Sequence, residues 1–195
     1  TWDPAGGEAT ETGELVRQIL RCRPYFGENG GVTLSGGEPL LQPEFAEELL
    51  KDCKAEGLHT ALDTSGYRLD AAAERVLDYT DLVLLDLKMT TGEEYLRYTG
   101  CAMEKPLRFL EYLEERGIPV WIRQVIVPGI NDNNENIERL NRLLAGKKCV
   151  KKVELLPFHK ICAVKYQKMG IPFPFDIYPA ADPASVEQLS KLVIF

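Results

Sequence analysis

The 195-residue chain has no low-complexity segment and no long apolar run. Its longest purely apolar stretches span only a few residues, such as residues 82–85, whereas a helix that crosses a bilayer needs about 20. No signal-peptide pattern is visible either. We therefore expect no membrane partner.

Clustered basic charge is also missing. Lys and Arg number 23 against 30 Asp and Glu, which gives a net charge of -7. Binding to nucleic acid requires Lys and Arg grouped on one surface to neutralise phosphates, so we expect no nucleic-acid partner. The basic pairs at 147–148 and 151–152 are interpreted as solvated faces.

The cysteines lack the close spacing of a metal site. The chain has five, at positions 22, 53, 101, 149 and 162, and no two are near enough in sequence to clip a metal. We interpret them as reduced thiols, which favours a cytoplasmic location, with Cys22 and Cys53 as small core residues. No iron–sulfur ligand is predicted in this chain.

What the sequence does contain is an alternation of strand and helix patterns. A hydrophobic fraction of 45% supports one domain over residues 1–195. The apolar runs are typical of buried parallel strands covered by helices, so we predict an α/β fold. Predicted strands cover residues 31–35, 59–63, 81–87, 119–127 and 152–156. Predicted helices begin at a Thr12 cap and at Pro43, and cover 71–77, 92–116 and 134–144.

Each predicted strand ends in a polar or glycine-containing cluster. Any one cluster is explained as well by a turn or a helix cap, but ligands of parallel α/β folds bind at the carboxyl ends of the strands. The five together favour a ligand site, and the two glycines of the first allow a ligand to contact bare backbone. The clusters are Ser35-Gly36-Gly37-Glu38, Asp63-Thr64-Ser65-Gly66, Asp86-Leu87-Lys88, Arg123 and Val125 before Pro128-Gly129-Ile130-Asn131-Asp132, and Pro157-Phe158-His159.

Over nearly its whole length the chain resembles the radical S-adenosylmethionine (SAM) activases of glycyl radical enzymes, and most closely those that activate pyruvate formate-lyase. Besides the clusters above, the match rests on Thr1-Trp2-Asp3 with Gly6-Gly7, Leu85-Asp86-Leu87-Lys88, Val120-Trp121-Ile122-Arg123, Val127-Pro128-Gly129 and Glu154-Leu155-Leu156-Pro157-Phe158-His159. The resemblance implies a partial (β/α)6 barrel. The family's Cys-x3-Cys-x2-Cys loop is absent, so we expect a chain that begins after the first strand and this cluster loop.

The resemblance also implies the roles of individual residues. Gly36, Gly37 and Glu38 would contact the methionine end of SAM. Its ribose and carboxylate end would meet Asp86, Leu87 and Lys88. His159 would contact its adenosyl part, and Arg123 and Val125 would line the same pocket.

A monovalent cation would be held by Asp63, Thr64, Leu84 and Asp86. An all-oxygen ligand set suits a hard cation, and two aspartates at one rim repel each other without a counter-charge. The competing interpretation is that one of these aspartates caps a helix.

The implied function uses SAM and a [4Fe-4S] cluster, with ligands outside this chain, to make a 5′-deoxyadenosyl radical. This radical would remove an α-hydrogen atom from a glycine of pyruvate formate-lyase, with flavodoxin or ferredoxin as electron donor. We expect no radical activity from the 195 residues alone. The alternatives are an activase of another glycyl radical enzyme, or a non-catalytic barrel fragment that binds a peptide or nucleoside. An aldolase-like Schiff base at Lys88 is disfavoured because Asp86 beside it favours the charged amine.

Three further groups of residues receive structural interpretations. His59 is expected to be structural, and Trp2 and Trp121 are expected to pack. The aromatic residues between 166 and 178 are expected to cover the open side of the barrel.

Overall fold

A computed structural model describes residues 9–27 and 30–195; the predicted motif at Thr1-Trp2-Asp3 and Gly6-Gly7 lies outside the described residues. The strands are β1 (Gly31–Leu34), β2 (His59–Thr64), β3 (Leu82–Asp86), β4 (Val120–Ile126) and β5 (Val150–Pro157). The helices are α1 (Thr12–Arg21), α2 (Pro43–Ala55), α3 (Ala71–Leu77), α4 (Gly92–Thr99), α5 (Glu104–Arg116), α6 (Asn134–Leu144), α7 (Ala163–Lys168) and α8 (Pro183–Ser190). Short 3-10 turns cover Arg23–Tyr25, Pro39–Leu41 and Lys160–Cys162.

The five strands form one parallel sheet in the order β1-β2-β3-β4-β5. Each strand thus pairs with its neighbour in sequence, and all the carboxyl ends meet at one edge. In the described part of the chain β1 and β5 do not pair with each other, so the sheet is an unclosed, partial barrel. This confirms the predicted fold class.

The two faces of the sheet differ in composition, as the period of two along β4 shows. Ile122 and Ile126 point to the helices and are buried, whereas Trp121, Arg123 and Val125 alternate with them and are half-buried or exposed. Side chains of successive strand residues point to opposite faces. The concave face therefore carries the polar residues, and the core lies between the sheet and its helices.

The packing of α1 confirms its predicted face but corrects its start. Val16 is buried against α2, and Leu15, Ile19 and Leu20 pack around it. The predicted Thr12 cap is wrong: the N-cap is Glu11. The Thr12 hydroxyl instead donates to Glu48 Oε1 at 2.7 Å, so it joins α1 to α2.

Two regions depart from the predicted elements. The single helical region 92–116 is divided because Gly100, with φ +72°, ends α4 in the left-handed conformation. The last strand is longer than predicted and begins at Val150. Helices α7 and α8 follow it, and the Asp182 side chain caps α8.

The aromatic residues of the final segment pack together as a cluster next to the end of β5. Phe173 and Phe175 lie 6.2 Å apart, centroid to centroid, and both contact the buried Phe158 ring. Tyr98 and Tyr178 pack on Phe175. Among the described helices none is long and apolar enough to cross a membrane.

Candidate functional site: a polar pocket at the strand ends

The carboxyl ends of β1 to β4 enclose a pocket of about 280 Å³. Its lining contains most of the predicted site residues, together with Ser65, which belongs to the predicted cluster after the second strand but was assigned no role toward a ligand. The lining residues are Gly36, Gly37, Glu38, Asp63, Thr64, Ser65, Asp86, Lys88 and Arg123. The strand ends therefore bring together side chains from four separate segments of the chain.

Four of the predicted site residues lie apart from this pocket lining. Leu84 precedes Asp86 on the same face of β3, whereas Leu87 is buried on the opposite face. Val125 is 40% exposed on the concave face of β4. His159 is exposed just beyond β5. Their roles toward SAM and the cation remain predictions.

An ion-pair network crosses the three central strands inside the pocket. Arg123 donates from Nη2 to Asp63 Oδ1, and from Nη2 and Nε to Asp86 Oδ1 at 3.0 and 3.2 Å. The Lys88 ammonium lies 3.0 Å from Asp86 Oδ2. Because Arg123 and Asp86 are direct partners in the β3–β4 register, the sheet itself sets this pairing.

The charges of the network depend on one another. Burial raises the pKa of Asp63, and the negative charge of Asp86 raises it further, while Arg123 opposes the shift. Burial acts to lower the pKa of Arg123, but Asp86 and Asp63 outweigh it and the pKa is raised. Arg123 therefore stays cationic and supplies a counter-charge between the two aspartates. The monovalent cation stays a prediction, without the electrostatic argument that motivated it.

Glu38 fastens the glycine turn to the loop after β2. Its Oε1 accepts from Thr64 Oγ1 at 2.7 Å and from Leu40 N at 3.3 Å. Its Oε2 accepts from Ser65 N and Oγ at 2.9 and 2.5 Å. The carboxylate is thus occupied by the protein, and it holds the turn in place.

The backbone of the turn remains free for a ligand. Gly36 and Gly37 have φ of +95° and +54°, values that residues with a Cβ rarely adopt. A Cβ at Gly36 would meet no atom within 4 Å. The turn therefore presents bare backbone to open space.

Asn131, which the sequence placed in the cluster after the fourth strand without assigning it a role, is a structural residue of the rim. Its Oδ1 accepts from Val127 N at 2.7 Å and its Nδ2 donates to the Val125 carbonyl at 2.9 Å. It is 1% exposed. Its position two residues after the Pro128-Gly129 turn is the signal that could have identified it, because Asn side chains commonly bond nearby backbone in turns.

A larger cavity of about 730 Å³ lies between the end of β4 and α8. Its two carboxylates already have structural partners: Asp182 caps α8 and Asp132 accepts from Gly129 N at 2.8 Å. No cation lines it. The convergence of opposite charges instead marks the smaller pocket as the candidate site.

The described residues offer no cluster-binding site. They contain no group of three or more His, Cys, Asp or Glu side chains placed to hold a metal ion, and the five cysteines are free. They do fit SAM: cations, carboxylates and bare backbone line one pocket, which suits a zwitterionic amino-acid end with a sulfonium.

Comparison with known proteins identifies the family. The profile of the Radical SAM superfamily matches residues 3–141. The pyruvate formate-lyase-activating enzyme of Clostridium pasteurianum is 43% identical over 192 residues, covering 98% of this chain and 80% of that enzyme. The chain belongs to the pyruvate formate-lyase-activating branch of the radical SAM superfamily. The predicted family is thereby confirmed.

Further members of this activase branch are similar over comparable lengths. Pyruvate formate-lyase 1-activating enzyme of Escherichia coli K12 is 38% identical over 179 residues, covering 90% of this chain and 73% of that enzyme. A crystallised domain of pyruvate-formate lyase-activating enzyme from Bacteroides vulgatus superposes with a TM-score of 0.68 at 27% identity, covering 85% of this chain and 93% of that one. Outside this branch, Streptococcus suis SuiB shares the fold: it superposes with a TM-score of 0.72 at 17% identity, and the match covers 95% of this chain and 39% of the SuiB chain.

Proposed function

We propose that this chain is the SAM-binding body of a pyruvate formate-lyase-activating enzyme. The observation that carries the proposal is the pocket in which the glycine turn, three carboxylates and two cations converge, in a chain of this family. When bound, SAM and a reduced [4Fe-4S] cluster supply a 5′-deoxyadenosyl radical, which would remove an α-hydrogen atom from a glycine of pyruvate formate-lyase. The ligands of that cluster would come from outside the described residues.

Lys88 and Arg123 would bind the carboxylate end of SAM. Lys88 has three N–H donors and uses one on Asp86, and its side chain is 45% exposed. Arg123 donates from Nε and Nη2 to the aspartates, and within the described structure its Nη1 remains available to a ligand. Both groups can therefore meet an anion without losing their partners.

The remaining contacts follow from the placement of each group. The bare backbone at Gly36 and Gly37 would receive the amino group, and Asp86 would accept from ribose hydroxyls. Val125 and His159, exposed at the rim, would border the adenosyl part. Leu87 would act through its backbone, since its side chain is buried.

Three finer parts of the proposal concern the surroundings of the site. A monovalent cation would bind at Asp63, Thr64, Leu84 and Asp86, with Thr64 contributing its carbonyl, because its buried hydroxyl both donates to Glu38 and accepts from Gly66 N. Flavodoxin or ferredoxin would supply the electron. The protein would act in the cytoplasm, where reduced thiols persist.

The test is an isotope transfer with the natural protein that carries this chain, reconstituted anaerobically with iron and sulfide. Pyruvate formate-lyase labelled with α-deuterated glycine should give deuterated 5′-deoxyadenosine by mass spectrometry and a glycyl radical by EPR. Lys88→Met should abolish most of the transfer. A wild-type protein that binds SAM without forming 5′-deoxyadenosine would overturn catalysis and favour a nucleoside-binding barrel. Transfer only to a different glycyl radical enzyme would reassign the partner.

A further inference from the structure

A chain of buried polar side chains lies behind the two cationic residues of the pocket. Thr90, Gln124 and Asn136 are 5%, 1% and 0% exposed. Thr90 Oγ1 donates to Asn136 Oδ1 at 2.9 Å, and Asn136 Nδ2 donates to Gln124 Oε1 at 2.9 Å. Arg139 Nε donates to Thr90 Oγ1 at 3.0 Å. The hydrogen bonds therefore run in one direction, from Arg139 to Gln124.

The members of this chain sit on the elements that carry the pocket cations. Thr90 follows Lys88 in the loop after β3, and Gln124 follows Arg123 on β4 but points to the opposite face. Asn136, in the first turn of α6, joins the two. One buried amide thus fixes the spacing between the loop of Lys88 and the strand of Arg123.

Buried polar side chains of these types are an unfavourable choice if their only role is to fill the core. Burying amides and a hydroxyl is unfavourable unless their hydrogen bonds are made, and Gln124 Nε2 has no partner in the described part of the chain. Apolar side chains of similar volume would fill the space without that penalty. What the polar chain adds is direction, because each bond requires a specific geometry.

We propose that Thr90, Asn136 and Gln124 are positioning residues, which set the orientation of Lys88 and Arg123 toward the anionic end of SAM. The proposal rests on the proposed function. The three residues touch neither SAM nor the reacting atoms, and they act through the loop after β3 and through β4.

The experiment compares Thr90→Val, which removes the hydroxyl and keeps the shape, with Thr90→Ser, which keeps the hydroxyl. Thr60→Val is the matched control. Thr60 is likewise buried, at 0% exposure, and donates to the Tyr79 carbonyl at 2.6 Å. It lies near the start of β2, at the end of the sheet away from the pocket.

Thr90→Val removes both hydrogen bonds of the hydroxyl and should raise the KM for SAM in 5′-deoxyadenosine formation about tenfold, a factor on the order of one hydrogen bond. Its kcat should stay within about twofold and Thr90→Ser should restore the KM. Without SAM, backbone hydrogen exchange in residues 86–92 and 120–127 should be faster in Thr90→Val than in Thr60→Val. Thr60→Val should lower the melting temperature comparably and leave the KM unchanged.

Equal stability losses in Thr90→Val and Thr60→Val, with neither KM nor rim exchange altered, would show that the chain is only structural and would overturn the proposal. If the wild-type protein forms no 5′-deoxyadenosine, the proposed function fails. In that case the backbone hydrogen exchange of residues 86–92 and 120–127 tests the positioning role by itself. Faster exchange in Thr90→Val alone supports the positioning of this loop and strand, and unchanged exchange refutes it.

Discussion

Replacing Glu38 by Gln tests whether this carboxylate holds the pocket together. Both of its oxygens accept hydrogen bonds, and each faces one backbone N–H, from Leu40 at Oε1 and from Ser65 at Oε2. A carboxamide offers one acceptor oxygen and one NH₂ donor. Whichever way the amide turns, one backbone donor therefore faces another donor.

The size of the effect follows from the contact lengths. At Oε1 the Leu40 contact is long, at 3.3 Å, and the Thr64 hydroxyl at 2.7 Å can rotate to accept from an amide, whereas the Ser65 contacts at Oε2 are short, at 2.9 and 2.5 Å. The amide NH₂ should therefore turn toward Leu40 and leave the Ser65 bonds in place but without charge. Hydrogen bonds to charged groups contribute about 1.5–3 kcal/mol, against about 1 for neutral ones. We expect a loss of about 2 kcal/mol in the free energy of unfolding, or about 4–8 °C in Tm.

Urea and thermal unfolding at pH 7, followed by circular dichroism, measure this loss. Glu44→Gln is the control, because Glu44 is exposed in the first turn of α2 and its side chain makes no hydrogen bond within the described structure. The control should change the free energy by no more than about 0.5 kcal/mol, through the helix dipole alone. A Glu38→Gln protein as stable as Glu44→Gln would refute the reasoning.

Three further predictions concern titration and packing. Hydrogen bonds from backbone N–H groups just before β5 lower the pKa of Glu114 from 4.5 to about 2. The stabilising effect of the Glu114 carboxylate is therefore complete above pH 4.5 and lost toward pH 2. Glu114→Gln should be less stable than wild type at pH 7, and the difference between their urea midpoints should narrow below pH 4.5. A difference that does not change with pH would contradict this prediction. Arg123→Met removes the cation next to Asp63, whose pKa burial already raises. Carboxyl ¹³C NMR should show a further rise in the pKa of Asp63, and the stability of the variant relative to wild type should increase as the pH falls from 7. An unchanged Asp63 pKa would count against the network. Gly66→Ala places a Cβ 2.7 Å from the core residue Leu85 at a φ of +65°, whereas a Cβ at Gly117, with a φ of +67°, would meet open space. Urea unfolding should show that Gly66→Ala lowers the free energy of unfolding by at least about 1 kcal/mol more than Gly117→Ala. Equal losses would exclude the clash.

The strands and several helices could be predicted because their signals are local. Pro43 begins α2, as predicted, and Gly57, with φ +72°, follows the end of the helix. Helices 71–77 and 134–144 were predicted with the observed bounds. Helix α7 has six residues, none of them buried. Such a short segment has too few apolar positions to show a helical period.

The site was predictable as a set of strand ends but not as a set of contacts. That Arg123 faces Asp86 depends on the stagger between β3 and β4, which the separate strand sequences do not specify. The bond between Glu38 and Ser65 joins residues 27 positions apart. The chain from Thr90 to Gln124 likewise depends on how α6 packs against the sheet, so these contacts required the structure.

The strand order of the sheet repeats the order of the strands in the chain. The ion pairs of the pocket lie on β2, β3 and β4, or directly after them, and each of these strands has a neighbour on both sides. A βα unit added beside β1 or β5 would lengthen the sheet without parting any of these pairs. The architecture therefore allows the two edges of the sheet to change, and with them the macromolecular substrate that the cleft accepts, while the ion pairs of its interior stay the same.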